Sequence, residues 1–284
     1  MLGTFTDRQL LWAAGALYLA GFLLGLRSVL RGGKPSGVAI NVLVGAGYLL
    51  QYAGLYARGM VDGGCPLGNQ FEIVQFTAWS AITLYFVVGV TFRSGLLGYF
   101  TAGLGAALTL LSLAIPEWDA ARRAHLFGAN PWIEFHAALA MFSYGVFGLL
   151  ALTSLLFLLR HRSLKSKRLG GWFSFLPSIL ELDTIGLRLL GTGVGLLALS
   201  LAVGSVYWVR DPASVSAGKL LATVGVGLVA ATALALRLRG RLLAQRFAWA
   251  CLILFAAALI SLGLVNASRH PEDGPVPARG ASAT

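Results

Sequence analysis

The 284-residue sequence predicts an all-α, polytopic integral membrane bundle of about eight transmembrane helices. Two observations carry that prediction. Hydrophobic residues make up 57% of the chain, only 12% are charged, and mean hydropathy is +0.77. A soluble domain carries about twice that charged fraction. The apolar residues also fall in repeated, continuous runs near the ~20 residues that a helix needs to cross a ~30 Å hydrocarbon core. Backbone groups in lipid are satisfied only in helices or closed barrels, and continuous runs lack the alternation of a barrel strand.

In chain order the runs cover about 9–30, 37–57, 72–92, 95–115, 133–159, 185–208, 218–236 and 246–267. The first begins after Asp7 and Arg8 and ends at Arg27, Arg31 and Lys34, so it reads as a span and not as a cleaved signal peptide. The 58–72 loop holds Cys65, and a second loop, from Pro116 to Trp132, holds His125. A third, from Arg160 to Thr184, opens with Arg160, Arg162, Lys165, Lys167 and Arg168. It then turns aromatic at Trp172, Phe173 and Phe175, which predicts a short interfacial helix. The spans predict one domain, residues 1–270, followed by a Pro/Gly/Ala-rich disordered extracytoplasmic tail, 271–284. No internal repeat stands out. Gly-rich spans four, six and seven resemble one another because small residues let helices pack closely.

Alternating the loops puts 14 Lys and Arg on one side against only Glu181 and Asp183, whereas the other side has 8 cations and 9 acids. The positive-inside rule makes the first side cytoplasmic and both termini extracytoplasmic. The +11 net charge is thereby a topology signal, and nucleic acid is excluded as a partner. Two cysteines, Cys65 and Cys251, give no disulfide framework, paired-cysteine motif or covalent haem attachment motif.

Three features converge on the predicted outer face. His136 opens span five beside Trp132 and Glu134. The segment Tyr207-Trp208-Val209-Arg210-Asp211-Pro212 joins spans six and seven, and His270 follows span eight. Ionisable residues at a membrane boundary face a bundle interior, cavity or interface. Two neutral imidazoles there can offer axial nitrogens to one haem iron, an indole can cover the macrocycle, and an arginine can pair with a propionate. A plainer reading stands beside this one: His136 bonding Glu134 or a backbone group, His270 solvated, and Trp132 and Trp208 forming an aromatic belt. His161 reads as headgroup-facing and His125 as exposed. Asn41, Gln51 and Gln75 read as bonding between helices, and Cys65, without a spaced partner, is a poor metal site.

Four stretches together resemble the CcsA/CcmC-type cytochrome c assembly family, particularly its shorter HemX/YpjD-like branch. Pro66-Leu67-Gly68-Asn69-Gln70-Phe71-Glu72 with Phe76 and Trp79 is similar to the family's P-L-x-N-x-[YF]-E-x-x-x-F-x-x-W segment. His136 with Ser143-Tyr144 resembles its H-x(6)-S-Y. Leu182-Asp183 and Arg188 through Gly204 resemble the entry to its haem-motif helix. Val265-Asn266 with His270 resembles its V-N…H ending. The tryptophan-rich motif survives only as Tyr207–Pro212, with Arg210 replacing a tryptophan, and no span carries a midplane histidine. Those departures point away from haem export and complete synthase activity.

The resemblance implies a multi-pass protein of the bacterial cytoplasmic (inner) membrane, in contact with membrane lipid, that handles haem in c-type cytochrome biogenesis. His136 and His270 would ligate the iron of a non-covalent haem b, with Trp208, Arg210, Tyr207 and Asp211 around it. The implied partners are other cytochrome c assembly proteins and apocytochrome c, the chain being at most a component of a haem-attachment system. The Pro66–Glu72 segment would be a lid or a partner dock. The alternative is a regulatory scaffold that binds no haem and acts on haem biosynthesis or another membrane partner through the basic 160–175 loop.

Overall fold

The computed structural model describes residues 6–31, 33, 36–92, 95–120, 131–167, 177–210 and 217–267, with only the backbone at 88–92, 95–97, 207, 210, 219 and 264–267. The helices are α1 (Asp7–Leu30), α2 (Gly37–Asp62), α3 (Gln70–Phe92), α4 (Gly95–Ala114), α5 (Pro131–Lys165), α6 (Ile179–Arg210), α7 (Ala217–Leu238) and α8 (Ala244–Ala267). A 3₁₀ turn, Pro116–Asp119, follows α4. Six of the helices (α1, α2, α5, α6, α7 and α8) are long and apolar enough to cross a membrane. The protein is a transmembrane helical bundle.

The helix ends follow local chemistry. Thr6 caps α1 in a reciprocal box with Gln9, and Ser36 accepts the Ala39 N–H at the start of α2. Gly63 stops α2 in the left-handed conformation, φ 69°, where a side chain is strained. Pro131, with no N–H to lose, begins α5. Both long middle helices overrun their apolar windows. At 1.5 Å per residue, the 35 residues of α5 reach about 52 Å, well beyond a ~30 Å core. Its turn Arg160–Lys165, expected in a loop, is therefore helix that projects from the basic end. Likewise α6 begins at Ile179 and not near 185. The expected interfacial helix around Trp172–Phe175 lies outside the described residues, as do most of the 116–132 loop and the 271–284 tail.

The helices pack as two groups of four. One core joins α1 to α4 around Tyr18, Ile40, Val44, Ile82 and Tyr99, and the other joins α5 to α8 around Phe147, Leu150, Leu189, Leu190 and Leu254. In the first group α1 packs on α2 and α4, α3 on α4, and α2 on α3. The second repeats this pattern with α5 for α1 and so on through α8, and α3–α5 packing bridges the groups. This repeat in helix pairing is invisible in the residue pattern, because it fixes which helices touch and not which apolar residues they use.

Small residues set the closest approaches. A Cβ on Gly145 would fall 2.0 Å from Ser80 Oγ at the α3–α5 bridge. Within the first group, Gln51 Nε2 donates to Gln75 Oε1 at 2.8 Å, Tyr18 donates to Gln51, and Gln75 donates to Ser112. Tyr85 donates to Asn41 at 2.8 Å. The polar residues expected to bond between helices do so.

Candidate functional site at one end of the bundle

The start of α1, end of α2, start of α3, end of α4 and start of α5 share one end of the bundle with the end of α6. This is the end that the sequence assigns to the outer face. Two constructions occupy it, one in each group of helices.

In the first group Arg58, fully buried, faces three separate carboxylates. Its Nε donates to Glu72 at 2.6 Å, Nη1 to Asp7 at 2.7 Å, and Nη2 to Asp119. Arg8 meets the other Asp119 oxygen at 2.8 Å, and both guanidinium groups lie over the Phe71 ring, at 4.6 Å for Arg58 and 5.4 Å for Arg8. A forked guanidinium meets each acid with a different nitrogen, a spread that a single ammonium nitrogen does not offer. The 66–72 segment is tied into this cluster. Asn69 Oδ1 accepts the Glu72 N–H at 2.9 Å, Glu72 Oε2 accepts the Gly68 N–H at 2.6 Å, and Asn69 Nδ2 donates to Asp119 at 3.2 Å. Asn69 and Glu72 thus form a capping arrangement at the start of α3, a signal the N-x-x-E spacing already carries. Arg58 itself reads in sequence as a solitary charge at a span end, since its partners lie 51, 14 and 61 residues away.

Beneath the 63–66 turn an apolar cleft of about 430 Å³ opens between α2 and α3, walled by Tyr52, Tyr56, Phe76 and Trp79. Trp79 stacks on Tyr48 with centroids 5.4 Å apart. Cys65 lies at the turn. Burial, with Glu134 and then Glu72 nearby, pushes its thiol up to about 12, so at neutral pH it is neither a thiolate nucleophile nor a ready metal ligand. Among the described residues no three His, Cys, Asp or Glu side chains come together as a metal site.

The second construction is His136. Its ring is half-buried between α5 and α6, with Nδ1 2.7 Å from the Ser200 carbonyl oxygen and 3.1 Å from Ser200 Oγ. Ser200 Oγ donates to the His136 carbonyl at 3.0 Å. Glu134 turns the other way, against Gly64, so of the two partners in the plainer reading His136 takes the backbone group, the Ser200 carbonyl on α6. Two residues apart on a helix point about 200° apart, which separates them. Gly204 completes the seat: a Cβ there would lie 2.6 Å from the imidazole Cε1. Ser200, Gly204 and Trp208 form an i, i+4, i+8 stripe, so Trp208, 37% exposed, stands about 6 Å beyond Gly204 along the axis. Ser200 carries no signal in the sequence, and Gly204 is marked there only as the end of the family-like Arg188–Gly204 stretch, with no role assigned to it.

Of the remaining predicted site residues, Tyr207 and Arg210 complete the α6 backbone, with side chains outside the description. Asp211 and His270 lie outside the described residues, as does His125. His161, expected at the headgroups, stacks on Phe157 at the other end of α5, with centroids 6.3 Å apart. At that same end Arg237 pairs with Asp183 and covers Phe247 at 4.8 Å, fastening α6, α7 and α8.

The fold and the imidazole near the start of α5 define a multi-pass helical membrane protein with a polar site at one end of the bundle. Residues 67–264 match the model of a family described as cytochrome C assembly protein. Protein HemX of Brevibacillus brevis is 30% identical over 69% of this chain and 70% of its own length. Protein HemX of Bacillus subtilis is 29% identical over 52% and 53%, respectively. Cytochrome c biogenesis protein CcsA of Chlamydomonas reinhardtii is 26% identical over 67% of this chain and 56% of that protein. The chain belongs to the cytochrome c assembly protein family, on its HemX-like branch, and membership supports a role in cytochrome c biogenesis.

Proposed function

We propose that this protein binds haem at the extracytoplasmic face of the bacterial inner membrane during c-type cytochrome biogenesis, using His136 and His270 as axial ligands. All eight helices span, with both termini outside. One observation carries the reading: His136 sits near the N-terminal end of α5 in a cradle that a Cβ on Gly204 would fill, bonded to α6 and not to an acid. A neutral imidazole with an indole one turn beyond it suits a haem donor set.

The level of α8 supports His270 as the second ligand. Tyr144 Oη reaches Ser261 Oγ at 3.4 Å, tying α5 to α8. From that contact His136 lies eight residues, about 12 Å, outward along α5, and Ala267 six residues, about 9 Å, outward along α8. His270 follows three residues later. Trp208 would form a shelf, Arg210 would take a propionate, and Tyr207 and Asp211 would frame the edge. Bound haem b supplies the iron and the vinyl groups of the attachment chemistry. This chain's part is to hold and orient it for other assembly proteins and apocytochrome c. Asn69 and Glu72 are spent in fixing the 66–72 segment, which favours a rigid partner dock over a lid.

The test is protein purified from haem-replete cells, with haem content and Soret absorbance measured for wild type, His136→Ala and His270→Ala. Haem bound by wild type and lost in either variant supports the reading. Wild type devoid of haem even after haem is added would favour a regulatory scaffold instead.

A further inference from the structure

We infer that Ser200 and Gly204 are positioning residues that hold His136 as its Nδ1–H tautomer, leaving the Nε2 lone pair to the ligand. The inference rests on the haem-binding reading for the identity of that ligand, but not for the tautomer. A carbonyl oxygen only accepts, so the 2.7 Å contact of Nδ1 with the Ser200 carbonyl places a proton on Nδ1. The second contact agrees. Ser200 Oγ gives its hydrogen to the His136 carbonyl at 3.0 Å, so at 3.1 Å from Nδ1 it too is an acceptor. Both partners therefore demand the same protonated nitrogen. In a neutral ring the lone pair is then on Nε2, which makes no hydrogen bond among the described residues.

Gly204 supplies the space. An added Cβ would lie 2.6 Å from Cε1, 2.7 Å from Nδ1 and 3.3 Å from Nε2, so any side chain there expels the ring from its bond to Ser200. Gly195, on the same helix, has nothing within 4 Å of its Cβ position and so offers a matched control. A backbone carbonyl that fixes the tautomer of a metal-binding histidine also fixes its orientation, and loss of such support weakens metal binding about 10- to 100-fold.

The experiment uses full-length protein in detergent. Histidine labelled with ¹⁵N, with His136 assigned by the His136→Ala spectrum, should show a protonated Nδ1 and a bare Nε2 in haem-free wild type. In haem titrations followed at the Soret band, Gly204→Ala should bind about 10- to 100-fold more weakly than wild type. Gly195→Ala should match wild type, and Ser200→Ala, which keeps the carbonyl, should lose less than Gly204→Ala. A proton on Nε2 alone, or wild-type haem affinity in Gly204→Ala, overturns the inference. If wild type binds no haem, or His136→Ala binds it normally, the haem reading fails and the nitrogen spectrum alone decides the tautomer. It also decides if Gly204→Ala does not fold.

Discussion

Arg58→Met should be among the most damaging single substitutions in this bundle. The methionine keeps much of the aliphatic bulk but strands Glu72 and Asp119, whose side chains are only 2% and 6% exposed, without their shared cation. Removing one partner of a buried ion pair costs about 3–5 kcal/mol, mostly because the remaining charge has no compensation. Here Arg8 still contacts Asp119 and the Gly68 N–H still contacts Glu72, so about 3 kcal/mol is the appropriate end of that range. For a protein of this size that is a fall of about 6–12 °C in the unfolding midpoint. Arg58→Lys should fall between, since one ammonium cannot reach three acids set around a guanidinium. The double variant Arg58→Met/Glu72→Met should regain part of the loss, because a buried pair replaced by apolar groups leaves no stranded charge. Thermal unfolding in detergent, read by tryptophan fluorescence, decides. A midpoint within about 2 °C of wild type for Arg58→Met would refute the assignment of a buried ionic anchor. A double variant that falls by the sum of both singles would refute its electrostatic cause.

Three further outcomes follow from other parts of the bundle. Cys65 should alkylate slowly at pH 8, about three orders of magnitude below a free thiol, and accelerate about tenfold per pH unit until the pH nears its raised pKa of about 12. The sign comes from burial and the neighbouring carboxylates favouring the neutral thiol, so Glu134→Gln should speed labelling, as a maleimide time course would record. Gln51→Leu leaves Tyr18 and Gln75 short of partners and should cost about 1–2 kcal/mol, a shift of about 2–8 °C in the same unfolding assay. Gly145→Leu forces a side chain into the Ser80 contact and should separate α3 from α5, detected as lost cross-linking between cysteines placed on those helices.

The apolar runs made the helices legible, because lipid demands length and continuity and little else. The run boundaries at 57 and 159 fell short for a physical reason: hydrophobicity ends at the membrane surface, whereas α2 continues to Asp62 and α5 to Lys165 as polar turns. His136 was visible as an imidazole at a boundary, and the structure puts it in the second turn of α5, facing α6. A backbone partner was foreseen, but which residue supplies it was not visible. Ser200 lies 64 residues away and offers a backbone carbonyl, a group every residue possesses. Arg58 was hidden similarly, its acids scattered over Asp7, Glu72 and Asp119. The repeated helix pairing adds a comparison that no local window contains. In the first group, α1 and α2 meet at Leu11 on Gly54, with the ionic cluster one turn beyond. In the second, α5 and α6 meet at His136 on Gly204. The glycine seat is shared; one holds a leucine and the other an imidazole.

The central claim is that His136 and His270 hold one haem together, and the spin state of the iron tests it most directly. Resonance Raman and electron paramagnetic resonance spectra of the oxidised, haem-loaded protein should report a low-spin, six-coordinate iron with two histidine ligands. Removing either histidine should convert it to a high-spin or five-coordinate species. A wild-type spectrum that is already high-spin, or one that His270→Ala leaves unchanged, would contradict the paired ligation.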